Sequence, residues 1–307
     1  MQETLQMRKM YNYKILNINQ NFLGLEDKYS TFEESRIVIL SCPYEKTTSY
    51  GKGTAGGPKA ILKASHFVEF FDEETVSEIC FDKGICTLSP LSVGNLTGKN
   101  AMDYICNHVD KLIEEEKFVV TLGGEHSLAA PVIKAHFKHF KDLSILQFDA
   151  HSDLRLEYEG SIYSHASFAA RVAEFTTDIT QVGIRAQCIE EHEFIKKKKI
   201  KTYYAHRMRE EGFYGSLNEK ILNGLKENVY ITFDVDFFDP AIMSSTGTPE
   251  PGGFFWDETM RLLKKVIKES NLVGFDVVEL APVKNQPAPD FLAAKLVYKI
   301  LSYKFAS

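Results

Sequence analysis

The chain has 307 residues, of which 44% are hydrophobic and 25% charged, an ordinary composition for a globular protein. Its formal net charge is −6 and its lysines and arginines are scattered, which disfavours nucleic acid or an anionic membrane surface as the main partner. The sequence also contains no apolar run of about 18 residues, the length that a membrane-spanning helix needs.

Short apolar runs alternate with longer amphipathic stretches along the chain. The apolar runs predict strands at 36–41, 118–122, 143–148, 179–184, 229–233 and 272–278. Apolar residues spaced three and four apart predict helices at 57–71, 101–116, 127–140, 165–175, 216–227, 256–270 and 289–303. This alternation is typical of βαβ units. We therefore predict an α/β fold, a three-layer α/β/α sandwich with a mostly parallel sheet.

Nothing in the sequence divides the chain into parts. The glycine- and proline-rich pieces GKGTAGGP and STGTPEPGG follow predicted strands closely and are typical of loops. We predict a single domain over 1–307, with an irregular arm at 1–30, and we expect the lysine run at 196–199 to be the solvated end of a helix. Five cysteines without a CxxC pair, and an N-terminus without an apolar signal region, favour a cytoplasmic protein with reduced thiols.

Side chains of the metal-ligand type follow three predicted strands at the point where each strand ends. They are His126 in GGEHS, Asp149, His151 and Asp153 in DAHSD, and Asp234 and Asp236 in FDVDFFDP. In open α/β sheets, ligands bind beyond the carboxyl ends of the strands. We therefore expect these six side chains to converge. Asp239, which precedes Pro240, is expected to shape the following turn.

Four carboxylates packed together repel each other unless cations lie between them. Two divalent ions would balance the four negative charges, and six residues supply four ligands to each ion if two carboxylates bridge. Oxygen-rich ligands with a few imidazoles suit Mn²⁺ better than a metal that prefers thiolates. Turn chemistry could explain any one of the three motifs alone. Their repetition at three strand ends favours a metal centre.

Four segments, GGEHS, DAHSD, FDVDFFDP and FDVVELAP, resemble the signature segments of the ureohydrolase family, which includes arginases and agmatinases. Near the N-terminus, CPYEKTTSYGKGTAGGPKAI resembles the agmatinase pattern. The resemblance implies a roughly eight-stranded sheet, two Mn²⁺ ions per subunit and a homo-oligomer, either a trimer or a hexamer. One ion would be held by His126, Asp149, Asp153 and Asp234, and the other by Asp149, His151, Asp234 and Asp236.

The same resemblance implies a reaction and three catalytic roles. A hydroxide shared by the two ions would attack a guanidinium carbon, releasing urea and an amine. Asp153 is expected to shuttle a proton, and Glu279 matches the glutamate that grips the guanidinium. His165 matches a proton-shuttling histidine, although His-Ala-Ser stands here where many members have His-Gly-Thr. A strand-end salt bridge for Glu279 and a structural hydrogen bond at a helix start for His165 remain alternatives.

The loop LRLEYEGSIYS favours a substrate with a cationic tail. It lacks the asparagine-rich character of arginases and carries Glu157 and Glu159. We predict agmatine as the substrate, with Glu157 near its tail and putrescine as the second product. Aminopropylagmatine is an alternative. Arg155 keeps substrates with a carboxylate open, among them arginine, guanidinobutyrate and formimidoylglutamate, and the segment VKNQPAPDFLAAKL replaces the Tyr-Asp pair that often follows ELAP in agmatinases.

Two further classes of protein share this kind of fold. A deacetylase-type amidohydrolase would use one zinc ion and an Asp-His-Asp set, and a non-catalytic homologue would have lost at least one ligand. Because all six ligand-type residues are present, the sequence favours a binuclear hydrolase over both.

Overall fold

The computed structural model describes residues 13–210 and 216–306. The first 12 residues of the predicted arm therefore lie outside the described residues. The rest of the arm forms short turns, including the 3-10 turns Phe22–Gly24 and Asp27–Tyr29. Asn21 and Phe22 are fully buried, so this part of the arm packs against the domain.

Eight strands of the described residues form one sheet in which all neighbouring strands are parallel. They are β1 (Ile37–Cys42), β2 (Ile85–Leu88), β3 (Phe118–Gly123), β4 (Leu143–Phe148), β5 (Ile179–Ile184), β6 (Lys201–Tyr204), β7 (Asn228–Asp234) and β8 (Asn271–Val278). Their order across the sheet is β2-β1-β3-β8-β7-β4-β5-β6. The predicted parallel α/β sheet of about eight strands is confirmed.

The six predicted strands are all present, and the sequence analysis missed the two edge strands. Strands β4 and β5 agree with the prediction residue for residue, and the other four differ by one residue at one or both ends. The missed strands β2 and β6 have four residues each. Four residues are too few to show a periodic pattern, and β6 reads KTYY and is partly exposed.

Helices cover both faces of the sheet. They are α1 (Gly57–Ser65), α2 (Ile79–Lys83), α3 (Gly98–Glu114), α4 (Ala129–His139), α5 (Phe168–Val172), α6 (Ile189–Lys198), α7 (Ala205–Glu210), α8 (Ser216–Asn223), α9 (Trp256–Glu269) and α10 (Pro287–Phe305). Within the described residues, none of these helices combines the length and apolar character that crossing a bilayer would require.

The helix predictions hold for the long helices and for the start of α8, and they are less accurate for the other short helices. The predicted helix 57–71 ends at Ser65, and the predicted helix 165–175 is a 3-10 turn followed by the five residues of α5. Helices α2, α6 and α7 were missed. In α6 only Glu191 and Ile195 are buried, so no apolar period marks it in the sequence. Its last residues are exposed lysines, which confirms the predicted solvated helix end.

Each face of the sheet carries an apolar core. On β1, Ile37 and Ile39 belong to one core, whereas Val38 and Leu40 belong to the other. This alternation is the two-residue period of a strand whose two faces are both covered. The predicted three-layer sandwich follows from it. Four adjacent strands at the centre, β3, β8, β7 and β4, direct their carboxyl ends to the same edge.

Candidate metal centre and active site

The predicted ligands lie where the central strands end. His126 follows β3 after Gly124 and Glu125, Asp149 follows β4 directly, and Asp234 is the last residue of β7. Gly124 is required at this point because a Cβ atom on it would lie 2.1 Å from the Tyr44 carbonyl oxygen. A bulkier residue would push the His126 turn away from the sheet.

His126 lies at the centre of a group of three carboxylates. Its Nδ1 atom is 3.2 Å from Asp149 Oδ2, 3.4 Å from Asp153 Oδ2 and 3.2 Å from Asp234 Oδ2. The His126 side chain is buried, and Nδ1 has no hydrogen-bond partner of its own. The ring of Phe168 stacks on the face of the imidazole at a centroid distance of 3.7 Å and so restricts its orientation.

The hydrogen bond made by Nε2 of His126 determines which ring nitrogen of the neutral imidazole carries the proton. His126 Nε2 lies 2.8 Å from the hydroxyl of Thr232, and that hydroxyl donates its proton to Asp276 Oδ1 at 2.7 Å. Thr232 can therefore only accept from His126, so Nε2 carries the proton. In the neutral ring, Nδ1 then presents a lone pair to three carboxylates. Such an arrangement is repulsive without a cation, and it fits a divalent metal ion.

A second ligand group shares one carboxylate with the first. His151 Nδ1 lies 2.8 Å from Asp236 Oδ2 and 3.7 Å from Asp149 Oδ1. Asp149 thus has one oxygen in each group, as a bridging ligand would. Backbone amides orient these carboxylates: Ala150 N donates to Asp236 Oδ1 at 3.0 Å, and Asp236 N donates to Asp234 Oδ1 at 2.8 Å. All six predicted ligands are brought together.

The clustered carboxylates and His126 shift one another's pKa values because their charges lie close together in a buried site. Burial and the neighbouring Asp149 raise the pKa of Asp153 to about 7, and burial together with Asp236 raises the pKa of Asp234 well above its usual value. Burial acts to lower the pKa of His126, but the three carboxylates outweigh it and raise that pKa well above normal. Protons would thus stand in for the positive charge that metal ions supply.

A cleft of 310 Å³ opens onto this cluster. Its lining residues include three predicted catalytic residues, Asp153, His165 and Glu279, together with Arg155, Tyr158, Gln187, Glu191 and Thr248. Glu157, which we predicted near the substrate tail, has an exposed side chain and is not part of this lining. The loop after Asp153 turns Arg155 and Tyr158 towards the cleft instead, with the Arg155 guanidinium 5.0 Å from the Tyr158 ring centroid.

Glu279 connects the cleft to the first ligand group. Its Oε1 accepts the backbone N–H of His126 at 2.6 Å, and its side chain is almost fully buried. Burial raises its pKa well above the usual value. Its φ of 65° lies in the left-handed region, as does the φ of 52° at Asp153, and strain of this kind is common at functional sites. No salt bridge to Glu279 occurs among the described residues.

His165 begins the 3-10 turn His165–Ser167 at the edge of the cleft. Its backbone N–H donates to the Thr47 hydroxyl at 3.0 Å, so the structural hydrogen bond that we considered as an alternative is present. The side chain still lines the cleft. Burial lowers the pKa of His165, which favours the neutral imidazole.

Sequence reasoning missed several residues that support the site. Asp276, which is fully buried, lies inside the predicted strand 272–278. The signal in the sequence was a single carboxylate within an otherwise apolar run. Arg185 follows β5, and its guanidinium donates to carbonyl oxygens of Asp236, Phe237 and Glu250. It thereby ties down the segment that carries Asp236. A single arginine after a strand offers no signal for this role.

Asp239 acts as predicted. Its Oδ1 accepts the N–H of Ala241 at 3.0 Å, and its Oδ2 accepts the N–H groups of Gly252 and Gly253 at 3.1 and 2.9 Å. The carboxylate shapes the turn after the ligands and takes no part in either ligand group.

Comparisons with known proteins agree with this geometry. The model of the arginase family matches residues 35–302. N(1)-aminopropylagmatine ureohydrolase from Synechocystis sp. is 36% identical over 279 residues, covering 89% of this chain and 90% of that protein. Agmatinase from Bacillus subtilis is 34% identical over 267 residues, covering 82% of this chain and 86% of that protein. The chain therefore belongs to the arginase family, and its predicted class, a ureohydrolase-type hydrolase, is confirmed.

Solved structures lead to the same fold. A putative agmatinase from Clostridium difficile superimposes with a TM-score of 0.80 at 28% identity, covering 89% of this chain and 98% of that chain. The agmatine ureohydrolase of Thermoplasma volcanium gives a TM-score of 0.79 at 26% identity, covering 98% of this chain and 97% of that one. The binuclear metal chemistry of the family fits two ligand groups that share Asp149.

Proposed function

We propose that this protein is a binuclear manganese hydrolase that cleaves the guanidinium group of agmatine or of its N1-aminopropyl derivative. One water is consumed, the bond between the guanidinium carbon and the substituted nitrogen breaks, and urea and a protonated amine are released. The observation that carries the proposal is the pair of ligand groups, around His126 and His151, that share Asp149 at the carboxyl end of the sheet.

The donor set supports manganese. We propose that His126, Asp149, Asp153 and Asp234 hold one ion, and that Asp149, His151, Asp234 and Asp236 hold the other. Four carboxylates and two imidazoles without a thiolate suit Mn²⁺. When bound, two such ions lower the pKa of a shared water and so supply hydroxide at neutral pH.

Three side chains would do the remaining work. The Glu279 carboxylate faces the cleft and can pair with the planar N–H donors of a guanidinium, whose positive charge compensates its burial. Asp153 can carry the proton released when water ionises, and His165 can deliver a proton to the leaving amine. Because Asp153 and His165 both line the cleft, neither proton has to cross the protein interior.

The charge of the cleft supports a cationic substrate. Two divalent ions would neutralise the four ligand carboxylates. The same ions would favour the ionised form of Glu279 despite its burial, so that Glu279 and Glu191 contribute two negative charges to the lining and Arg155 one positive charge. The lining therefore keeps a net negative charge, which attracts a guanidinium with a cationic tail. Relatives named aminopropylagmatine ureohydrolase and agmatinase support the same class of substrate.

One observation favours a second candidate, a guanidino compound that carries a carboxylate, such as guanidinobutyrate. The side chain of Arg155 lines the cleft, whereas the acidic Glu157 does not. Arginine is suited to bidentate recognition of a carboxylate. The Arg155 guanidinium also makes a cation–π contact with the Tyr158 ring, which could satisfy its charge without a substrate carboxylate.

A panel of substrates with the Mn²⁺-loaded protein tests the proposal. We expect urea release from agmatine or N1-aminopropylagmatine to exceed release from arginine and guanidinobutyrate by about 100-fold or more in kcat/KM. Urea release mainly from guanidinobutyrate, abolished in Arg155→Gln, would establish the second candidate. No urea from any member of the panel would refute the proposed function. The homo-oligomer, a trimer or hexamer, and the cytoplasmic location stay predictions, testable by the native mass and by cell fractionation.

A further inference from the structure

Thr47 lies between a buried carboxylate and the predicted catalytic histidine. Its hydroxyl donates to Glu125 Oε1 at 2.8 Å, accepts the backbone N–H of His165 at 3.0 Å and lies 3.3 Å from His165 Nδ1. Thr47 belongs to the loop after β1, Glu125 to the turn after β3, and His165 to the turn before α5. The three residues therefore join separate segments, and of the three His165 lines the cleft.

Glu125 is a fixed anchor for this contact. It is fully buried, and its Oε2 accepts the N–H groups of Lys46 and Thr47 at 2.5 and 2.6 Å. Its Oε1 accepts the hydroxyl of Ser127 at 2.5 Å in addition to that of Thr47. Glu125 thus accepts four hydrogen bonds, two from backbone N–H groups and two from hydroxyls. Because the Thr47 hydroxyl has given its proton to Glu125, it has no other proton to donate.

The single hydroxyl proton of Thr47 determines which tautomer the neutral His165 ring adopts. Because Thr47 gives its only hydroxyl proton to Glu125, it can only accept from the imidazole. The Ser164 hydroxyl, 3.4 Å from the same Nδ1 atom, can accept as readily as it can donate. Nδ1 of the neutral ring therefore carries the proton, and the lone pair is on Nε2. A ring held in this way has one nitrogen fixed against the protein and the other available in the cleft that it lines.

We propose that Thr47, anchored by Glu125, is a positioning residue that fixes the tautomer and the orientation of His165. This inference rests on the proposed function, because it assigns to His165 Nε2 the proton that passes to the leaving amine. Nε2 of the neutral ring first takes up the proton released when water ionises, which gives the imidazolium. The step then moves that proton from Nε2 to the substituted nitrogen of the substrate while the carbon–nitrogen bond breaks. The neutral His165 that remains is protonated on Nδ1 only.

Thr47→Val tests the role, because it keeps the shape and removes the hydroxyl. We expect kcat to fall about 10- to 100-fold while KM changes less than about threefold, since the leaving-group proton is required only after binding. Thr47→Ser restores a hydroxyl and should keep kcat within about threefold of the unchanged protein. Thr48→Val, one residue further along, is the matched control and should keep full activity, because the Thr48 hydroxyl bonds only Glu45 at 3.2 Å among its described contacts.

Two further measurements separate positioning from a general structural effect. If Thr47 acts through His165, Thr47→Val should cost little more in a His165→Asn background. Additive losses, equal impairment of Thr47→Ser and Thr47→Val, or loss of bound Mn²⁺ from Thr47→Val would each overturn the inference.

The tautomer of His165 can be measured by NMR without any substrate being turned over, so this test does not depend on the proposed function. In metal-free protein labelled with ¹⁵N-histidine, the His165 signals are assigned by their loss in His165→Asn. We expect Nδ1 to be the protonated nitrogen at a pH where the ring is neutral, and Thr47→Val to shift the ring towards a mixture of tautomers. A ring protonated on Nε2 in the unchanged protein would overturn the inference. If no guanidino compound is hydrolysed, the proposed function fails, and the tautomer measurement still decides this point.

Discussion

A buried lysine on the last helix provides a sharp test of how the fold is held together. Lys299 on α10 is only 1% exposed, and its Nζ lies 2.8 Å from Asp72 Oδ2, 3.0 Å from Glu74 Oε1 and 3.3 Å from Glu73 Oε1. Asp72 is fully buried, and its other oxygen holds the turn through the N–H of Thr75. The ion pair therefore ties α10 to the turn between α1 and α2.

Lys299→Met removes the positive charge and keeps most of the volume. Asp72 is then left as a buried charge without its partner, and breaking such a pair costs about 3–5 kcal/mol. The lost contacts to Glu73 and Glu74 add little, because their side chains are 68% and 37% exposed. Since methionine leaves almost no cavity and Asp72 keeps its backbone hydrogen bonds, we expect a loss near the lower value, about 3 kcal/mol.

Urea unfolding at fixed protein concentration measures the loss. Lys295→Met, one turn earlier on α10, is the matched control and should change the free energy of unfolding by less than about 0.5 kcal/mol. The double variant Asp72→Asn with Lys299→Met should be more stable than Lys299→Met alone, because no unpaired charge remains. A cost of less than about 1 kcal/mol for Lys299→Met, or a double variant no more stable than the single one, would show that the buried ion pair does not hold α10 in this way.

The proposed metal centre and the acidic turn that Lys299 contacts can be tested by substitution and by pH. Asp234→Asn should lose bound metal and activity while its circular dichroism stays unchanged, because one ligand of each proposed metal ion is weakened. Arg185→Met should lower metal affinity about 10- to 100-fold, since it frees the segment carrying Asp236 from its arginine contacts. Acid should destabilise the fold through Asp72 and Glu74. Burial acts to raise the pKa values of both carboxyls, but hydrogen bonds from Lys299, and from Lys264 to Glu74, outweigh it and lower them, that of Glu74 to about 2. Their contribution is present above the unfolded pKa near 4 and is lost as the pH falls towards 2.

Each of these predictions has a result that would contradict it. Full activity in Asp234→Asn would remove Asp234 from the metal centre. Unchanged metal affinity in Arg185→Met, measured by competition with a chelator, would show that Asp236 is held without the arginine. For the acid prediction, unfolding is followed at several pH values in the parent protein and in Lys299→Met. An equal loss of stability in both proteins between pH 5 and pH 3 would show that the Lys299 cluster is not the cause.

Local patterns in the sequence were enough to predict the class of fold, and they also identified the six ligand-type residues that the structure brings together. Long helices such as α9 repeat their apolar residues at helical spacing, and central strands such as β4 are continuous apolar runs, so local patterns identify both. Ligand-type residues in the segments after β3, β4 and β7 predict the metal centre because parallel strands present their carboxyl ends on one edge. Short or partly exposed elements such as β6 carry too little pattern to be found.

Which distant residues meet around these ligand-type side chains depends on how the whole chain packs. Thr47 and His165 are 118 positions apart, and His126 and Thr232 are 106 apart, yet each pair is in contact. Loop direction was also invisible in the sequence, which is why Arg155 lines the cleft and Glu157 does not. Local sequence reports the period of an element. The order β3-β8-β7-β4 results from packing of the whole sheet, and that order sets the distances between side chains.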